Sequence, residues 1–387
     1  MALAHGNAHY QPPVSARKMA DDLAALAAWN AQEGDAVLVD DIATVCRWHA
    51  PLPPPKVKWV SWRAPYPMPD KIVPWGWDET VWQMLYRWAG SPSEDAAFPE
   101  VEQLNQIRRL SSRVTAVDVL KHLTDNDRRY LGQSYYCTTE ESIKRVVESY
   151  PRTYLKTLWS SSGKGLRQGN GEYSELLGNW CRRALLAQGG VVVEPRYERK
   201  IDFALEFFSE GRGKVRFEGY SLFETNDNGA YRGNLLADDA LLEQQIIAAC
   251  ELTMPNGVAM LHDLQRQLCR IFSLSIASCY KGPFGVDMMV AREKEGDDWQ
   301  IHPCVEINLR YNMGWWAHTF VQRYMPRGVV GKLLIDFSPT AGTMQHCHLQ
   351  QEVAFPCLTE NGRMLKGYCA LHPINRRTQY RASVWID

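Results

Sequence analysis

The 387-residue sequence has no uninterrupted apolar run near the ~18 residues that cross a bilayer. Its start, MALAHGNAHYQPP, lacks a basic segment followed by an apolar one, so neither membrane insertion nor secretion is expected. An excess of one charge is also missing. Lys and Arg number 43 against 44 Asp and Glu, a net charge of -1, which gives no electrostatic drive towards nucleic acid or anionic lipid. Small molecules are therefore the expected partners. Ten cysteines are present, but without a C-x-x-C pair or a short-spaced framework. A chain of this length needs no disulfide staples, so reduced thiols and a cytoplasmic setting are expected. There is no G-x-S-x-G elbow, and no cysteine stands out as a nucleophile. A Walker phosphate loop is absent too. In YLKTLWSSSGKGLRQGNGEY (154–173), Leu158 stands where that loop requires glycine and Gly165 where it requires a hydroxyl.

With 45% hydrophobic and 11% aromatic residues, the chain can bury two or three packed units. ARKMADDLAALAAWNAQ has helical spacing, and the apolar run DAVLVDDIA follows it, which suggests a small α/β unit. The next stretch, HAPLPPPKVKWVSWRAPYPMPDKIVPWGWDETVW, is so dense in Pro and Trp that an ordered loop without a regular element is expected. Helical spacing returns at DETVWQMLYRWAG and PEVEQLNQIRRLSSRVTAVDVLKHL, and Thr138 or Thr139 before Glu140 and Glu141 is placed to cap a further helix. From about residue 150 strands dominate, in RTYLKTLW, GGVVVEPRY, IDFALEFFSE, KVRFEGYSLFET, FGVDMMVA and WQIHPCVEINLRY. Two helical segments interrupt them, and the second should break near Pro255-Asn256-Gly257. The expected class is α+β, with antiparallel sheets carrying helices on one face.

Chemistry concentrates in FGVDMMV and HPCVEINLRYNMG. Asp287 stands alone in an apolar strand, while Glu306, Asn308 and Arg310 alternate with Val305, Ile307 and Leu309, so the period of two puts the polar set on one face. One carboxylate from each of two strands plus an amide oxygen makes a hard-oxygen site suited to Mg²⁺, and the arginine suits a phosphate. The plainer alternative is a solvated strand face with a cross-strand ion pair. For the opening Ser/Gly/Lys stretch two readings also stand, a surface turn and a phosphate cradle built on Lys156 and Lys164.

A strand lysine, a Ser/Gly loop, an apolar strand ending in Glu, a strand Asp and an E-x-N-x-R strand occur in this order over about residues 113–315. In that order they resemble the ATP-grasp superfamily, whose members hold ATP between two α+β subdomains and mostly join a carboxylate to an amine or thiol through an acyl-phosphate. The resemblance implies a pre-ATP-grasp α/β region at 1–112. It implies a first subdomain with a phosphate-covering loop at 113–190, and a second subdomain with the metal site and a C-terminal extension at 191–387. It also implies ATP and Mg²⁺ as cofactors. Lys156 would contact the α-phosphate and adenine side. Ser160, Ser161, Ser162, Gly163, Lys164 and Gly165 would close over the β- and γ-phosphates. Glu194 would be the hinge acid that reads adenine and ribose, and Arg113 the cation ahead of the first helix of the nucleotide subdomains. Asp287, Glu306 and Asn308 would hold Mg²⁺, with Arg310 facing the transferred phosphate. Leu309, where the family usually has proline, and a glycine-poor loop mark a divergent member.

In SLFETNDNGAYRGNLL, Arg232 either binds an acceptor carboxylate or decorates a hairpin tip, and Asn234 either touches phosphate or does not. The implied activity is a carbon–nitrogen-forming ligase acting on small carboxylates and amines or thiols. A small-molecule kinase using the same ATP site and a non-catalytic nucleotide-binding module are the alternatives. No nucleic acid or membrane partner is expected, and a homo-oligomer is left open. QHCHLQ reads as a strand carrying His346 and His348 on one face, without the second ligand pair that zinc would need.

Overall fold

A computed structural model of the chain describes every residue except 1, 2, 4, 5, 7, 65, 68, 90–97, 161–164 and 227–230. The first helical pattern becomes α1 (Val14–Leu23), which tightens through a 3-10 turn (Ala24–Leu26) into a last turn at Ala27–Asn30. The apolar run after it forms β1 (Ala36–Val39), paired in parallel with β2 (Lys58–Ser61). β2 lies inside the Pro- and Trp-dense stretch, where no regular element was expected. No proline falls between Pro55 and Pro65, so the residues there keep their N–H groups, and Lys58 N donates to Asp35 O at 2.7 Å.

The helical pattern that starts at residue 99 breaks at Ser111-Ser112. One helix covers Val101–Leu110, and α2 (Arg113–Asn126) restarts with the Ser112 hydroxyl accepting from Val114 N at 3.3 Å. The restart places Arg113 at the first helical position. A four-stranded sheet follows, made of β3 (Tyr135–Cys137), β4 (Thr153–Thr157), β5 (Leu166–Gly169) and β6 (Val191–Pro195) in the order β3-β6-β4-β5. Helices α3 (Glu140–Ser149) and α4 (Glu175–Gln188) pack on it through Ile143, Val147, Leu155, Cys181, Val191 and Val193. Thr139 caps α3, with Ser142 rather than a glutamate as its reciprocal partner.

The large sheet has nine strands. They are β7 (Glu198–Gly211), β8 (Lys214–Thr225), β9 (Tyr231–Leu236), β10 (Gly282–Arg292), β11 (Gln300–Asn308), β12 (Gly331–Phe337), β13 (Leu358–Glu360), β14 (Arg363–Ala370) and β15 (Tyr380–Ile386). Their order is β11-β10-β7-β8-β9-β12-β15-β14-β13, and the pairings are antiparallel. Helices α5 (Asp239–Ala249) and α6 (Met254–Leu274) cover one face, where Phe203, Leu205, Phe207, Phe284 and Val286 meet Leu261, Leu264 and Phe272. Pro255 sits in the first turn of α6, so the expected break falls just ahead of it.

The sheet carries helices on both faces, not on one as expected. On the second face the β9, β12 and β15 half is apolar, with Leu236, Leu333 and Val384 under Trp316 and Phe320 of α7 (Met313–Tyr324). The β7, β10 and β11 half of that face carries Glu206, Asp287 and Glu306. α7 buries the apolar half, and the polar half lines the site. QHCHLQ belongs to α8 (Thr343–Ala354) and not to a strand, and residues two apart on a helix face different ways. His348 therefore turns alone to the Tyr368 hydroxyl at 3.0 Å. Among the described residues no helix is long and apolar enough to cross a membrane.

The N-terminal region is built into this second core. Trp29 is 1% exposed, donates Nε1–H to Leu371 O at 2.8 Å, and touches the rings of Trp48, Trp316, Phe320 and Tyr324. Trp29→Ala is expected to cost about 3–5 kcal/mol, lowering Tm by on the order of 10 °C. A thermal melt checks this.

Candidate active site

β4 and β6 pair with Tyr154 opposite Glu194 and Lys156 opposite Val192. Lys156 and Glu194 are thus diagonal neighbours on one face. Their side chains form an ion pair at 2.5 Å, nearly closed to solvent, and Glu194 also accepts from the Ser134 hydroxyl at 3.1 Å. Burial alone would raise the Glu194 carboxyl, but the charge and hydrogen bond of Lys156, with the Ser134 hydrogen bond and the neighbouring His302, together hold the group below its ordinary range.

The Ser/Gly stretch joins β4 to β5 as a hairpin connection. Thr157 N donates to Gly165 O at 2.9 Å, and a Cβ on Gly165 would fall 2.2 Å from the Thr157 hydroxyl, so only glycine closes this base. Ser161, Ser162, Gly163 and Lys164 lie outside the described residues. Ser160, at the near end, accepts from Arg113 Nη1 at 2.9 Å.

On the large sheet Asp287 stands directly opposite Glu306, with a register shift between Asp287 and Met289. Burial first, then the charges of Glu306 and Glu206, push the Asp287 carboxyl up to about 8, while a hydrogen bond from the Asn308 amide pulls the other way. Arg113 donates through Nη2 to both Glu306 oxygens, at 3.0 and 3.1 Å, and through Nη1 to Thr157 O at 2.7 Å. One guanidinium therefore ties the base of the Ser/Gly loop to the acidic strand.

Arg310 departs from the expected strand face. β11 ends at Asn308, the backbone turns back with Arg310 N donating to Asn308 O at 2.7 Å, and Arg310 Nη2 donates to Asn308 Oδ1 at 2.8 Å. Ile307 and Leu309 enter the core as the alternation requires. Arg232 is exposed at the start of β9, three strands from β10, and makes no hydrogen bond or ion pair with the described residues. Asn234 is buried and committed to Leu222 O and the Tyr231 hydroxyl, which removes it as a phosphate contact.

Among the described residues no group of three or more His, Cys, Asp and Glu is set to hold an ion. The donor set is two carboxylates and one amide. It fits Mg²⁺, which takes one or two carboxylates and leaves the rest of its octahedron to water and phosphate. The fit also rests on charge. Two carboxylates facing each other across a strand pair repel, as the raised Asp287 carboxyl records, and a divalent cation between them relieves that repulsion.

Three groups here escaped the sequence reading. Glu206, fully buried on β7, accepts from the Ser221 hydroxyl at 3.0 Å and from the Asn312 amide at 2.8 Å. The lone carboxylate in FALEFF carried the same signal as Asp287 in FGVDMMV. Asn312 caps α7, accepting from Trp315 N at 2.8 Å. His302 stands opposite Met289, beyond the register shift, on the face that carries Asp287 and Glu306.

Burial pushes the Glu206 carboxyl up to about 7, against the Asn312 and Ser221 hydrogen bonds. A carboxyl raised by folding binds more protons folded than unfolded between pH 4.5 and about 7, so stability falls as pH rises through that window. Glu206→Gln should flatten this slope, removing a loss on the order of 2 kcal/mol between pH 5 and pH 8. Denaturant melts of both proteins across that range check it.

No family model and no curated protein matches the sequence. Among solved structures, the chain is similar to N5-carboxyaminoimidazole synthetase from Staphylococcus aureus complexed with ADP. The TM-score is 0.50 and the identity 12%, over 95% of this chain and 90% of that one. A biotin carboxylase from Campylobacter jejuni aligns at TM-score 0.45 and 13% identity, over 73% of this chain and 64% of that one. At 12% identity the first likeness concerns the fold alone, and that fold is the ATP-grasp fold.

Proposed function

We propose that the protein is an ATP- and Mg²⁺-dependent ligase that joins a small carboxylate to an amine or thiol through an acyl-phosphate. The observation that carries the proposal is the facing of two carboxylates, Asp287 and Glu306, in a site whose other wall is the Lys156–Glu194 pair. Glu194 and Lys156 receive the adenosine end, as in the family the sequence resembles. Arg113 and Lys156 meet the phosphates. Asp287, Glu306 and Asn308 would hold Mg²⁺, which neutralises charge on the transferring phosphoryl group.

In the reaction a substrate carboxylate oxygen attacks the γ-phosphorus and ADP leaves. The amine or thiol then displaces phosphate from the acyl carbon and gives up its proton. The protein acts by positioning and charge, with no side-chain nucleophile. Arg310, braced on the Asn308 amide, faces the transferring phosphoryl. Arg113 bridges the loop base and Glu306, so it is placed to shift from Glu306 to phosphate as nucleotide enters. Lys164 and the loop residues Ser161, Ser162 and Gly163 complete the cover, and Arg232 meets the acceptor. Isothermal calorimetry of ATP with and without Mg²⁺, followed by product analysis with pools of small carboxylates and amines, tests the proposal. Equal affinity in the two titrations would end the metal assignment, and a stable phosphorylated product would replace ligation by phosphoryl transfer.

A single substitution separates metal binding from folding. Burial and the neighbouring acids already hold Asp287 largely protonated near neutral pH without nucleotide, so Asp287→Asn, a neutral residue of the same size, should leave the nucleotide-free protein melting no lower than wild type. ATP turnover should fall at least about 100-fold, because stabilisation of the transferring phosphoryl is lost. Paired melts and ADP-release assays read both outcomes.

A further inference from the structure

His302 lies on β11 with 1% of its surface exposed, and neither ring nitrogen has a hydrogen-bond partner. Burial is the main reason its pKa drops to about 4, so the ring is neutral and carries one donor and one acceptor. Leaving such groups buried and unmatched destabilises the folded protein. Phenylalanine would fill the same space without that penalty. The ring is held by its surroundings. It packs 5.8 Å from the Tyr197 ring, and a Cβ on Gly132 would fall 2.6 Å from its Cδ2 and Nε2. Gly132 has φ 138, so the close approach and the backbone both call for glycine there.

The position of His302 identifies what it waits for. His302 pairs with Met289, two residues from Asp287 on β10, so across the register shift it lies on the sheet face that carries Asp287 and Glu306. At about 3.3 Å per residue, the two pairs stand ~7 Å apart along β10. The charges acting on its ring are those of Glu194 and Lys156, on the opposite wall. His302 therefore adjoins both the acidic pair, assigned above to the phosphates, and the Lys156–Glu194 pair, assigned above to the nucleoside.

We infer that His302 is a specificity residue whose unmatched ring nitrogens hydrogen-bond the heteroaromatic base of the bound nucleotide. The inference rests on the nucleotide-binding reading above and extends it to a residue that the sequence motifs do not mark. It requires that the protein give up stability for recognition. The satisfied ring then pins the base between the Lys156–Glu194 wall and β11, and the phosphates reach Asp287 and Glu306 in register.

The test is His302→Phe, with melts of the nucleotide-free protein and calorimetry against MgATP, MgADP and magnesium tripolyphosphate, which has phosphates but no base. The expected result is a Tm equal to or above wild type, affinity for MgATP and MgADP each about tenfold weaker, and unchanged affinity for tripolyphosphate. His302→Asn, which keeps a donor and an acceptor, should recover part of the nucleotide affinity, and it stands in if the phenylalanine variant does not fold. MgATP affinity equal to wild type in the folded variants would overturn the role of His302. So would an equal loss for tripolyphosphate, which marks general damage to the cleft. A wild-type protein that binds no MgATP would instead bring down the function reading, and this inference with it.

Discussion

Asp287 and Glu306 are paired residues on adjacent antiparallel strands, both acidic, on the same face. Cross-strand pairing of like charges is unfavourable, and the neighbourhood is arranged around that strain. Arg113 clasps both oxygens of Glu306, the Asn308 amide donates to Asp287, and Asp287 itself is pushed towards its protonated form. Arg113 begins α2, which packs on β11 in the core of the large sheet, and it also holds Thr157 O and the Ser160 hydroxyl. The repulsion between two acids on one sheet thereby draws in a cation that links that sheet to the loop of the other. Any group that neutralises the acids changes the hold on the loop.

The open half of the large sheet depends on a second constraint. α7 covers only the apolar part of the face, and its start is fixed where the polar part begins. Glu206 binds Asn312, which caps α7, and Gly285 and Gly314 leave this junction no spare volume. A Cβ on Gly314 would fall 2.1 Å from Glu206 Oε1, and one on Gly285 2.5 Å from Asn312 Nδ2. The chain from Asn308 to Asn312 is thus clamped at both ends, which sets where Arg310 stands. A carboxyl with a pKa near 7 is held in this clamp by burial, although two donors favour its charged form.

The N-terminal region, which carries no motif, closes the same end. Tyr311 N donates to Trp75 O at 2.8 Å, and Gly76 comes so near Arg310 that an added Cβ would lie 3.0 Å from its Cβ. Trp77 packs on the main core, while Trp75 remains 44% exposed beside Tyr311. The PWGW segment is a packed anchor at one tryptophan and part of the surface next to Arg310 at the other.

The sequence by itself determined the elements whose periodicity is strong and the residues whose type is out of place. The strands after residue 150, the cap at Thr139, the break before α6, and the alternation of Ile307 and Leu309 into the core were all legible, because they depend on local spacing. Asp287, Glu306 and Asn308 were legible because polar groups interrupt an apolar or alternating pattern. The tertiary structure alone decided the rest. That α7 covers the second face, that β2 exists among prolines, and that QHCHLQ is helical depend on which surfaces find partners, and a one-dimensional pattern does not specify partners. Arg310 folds back because the chain leaves the ladder at Asn308, where Arg310 N turns to Asn308 O, although β10 runs on to Gly282. Glu206 interrupts an apolar strand as Asp287 does, whereas His302 looked like an ordinary strand residue. Only burial, which removes water as the default hydrogen-bond partner, makes the matched carboxyl of one and the unmatched imidazole of the other chemically significant.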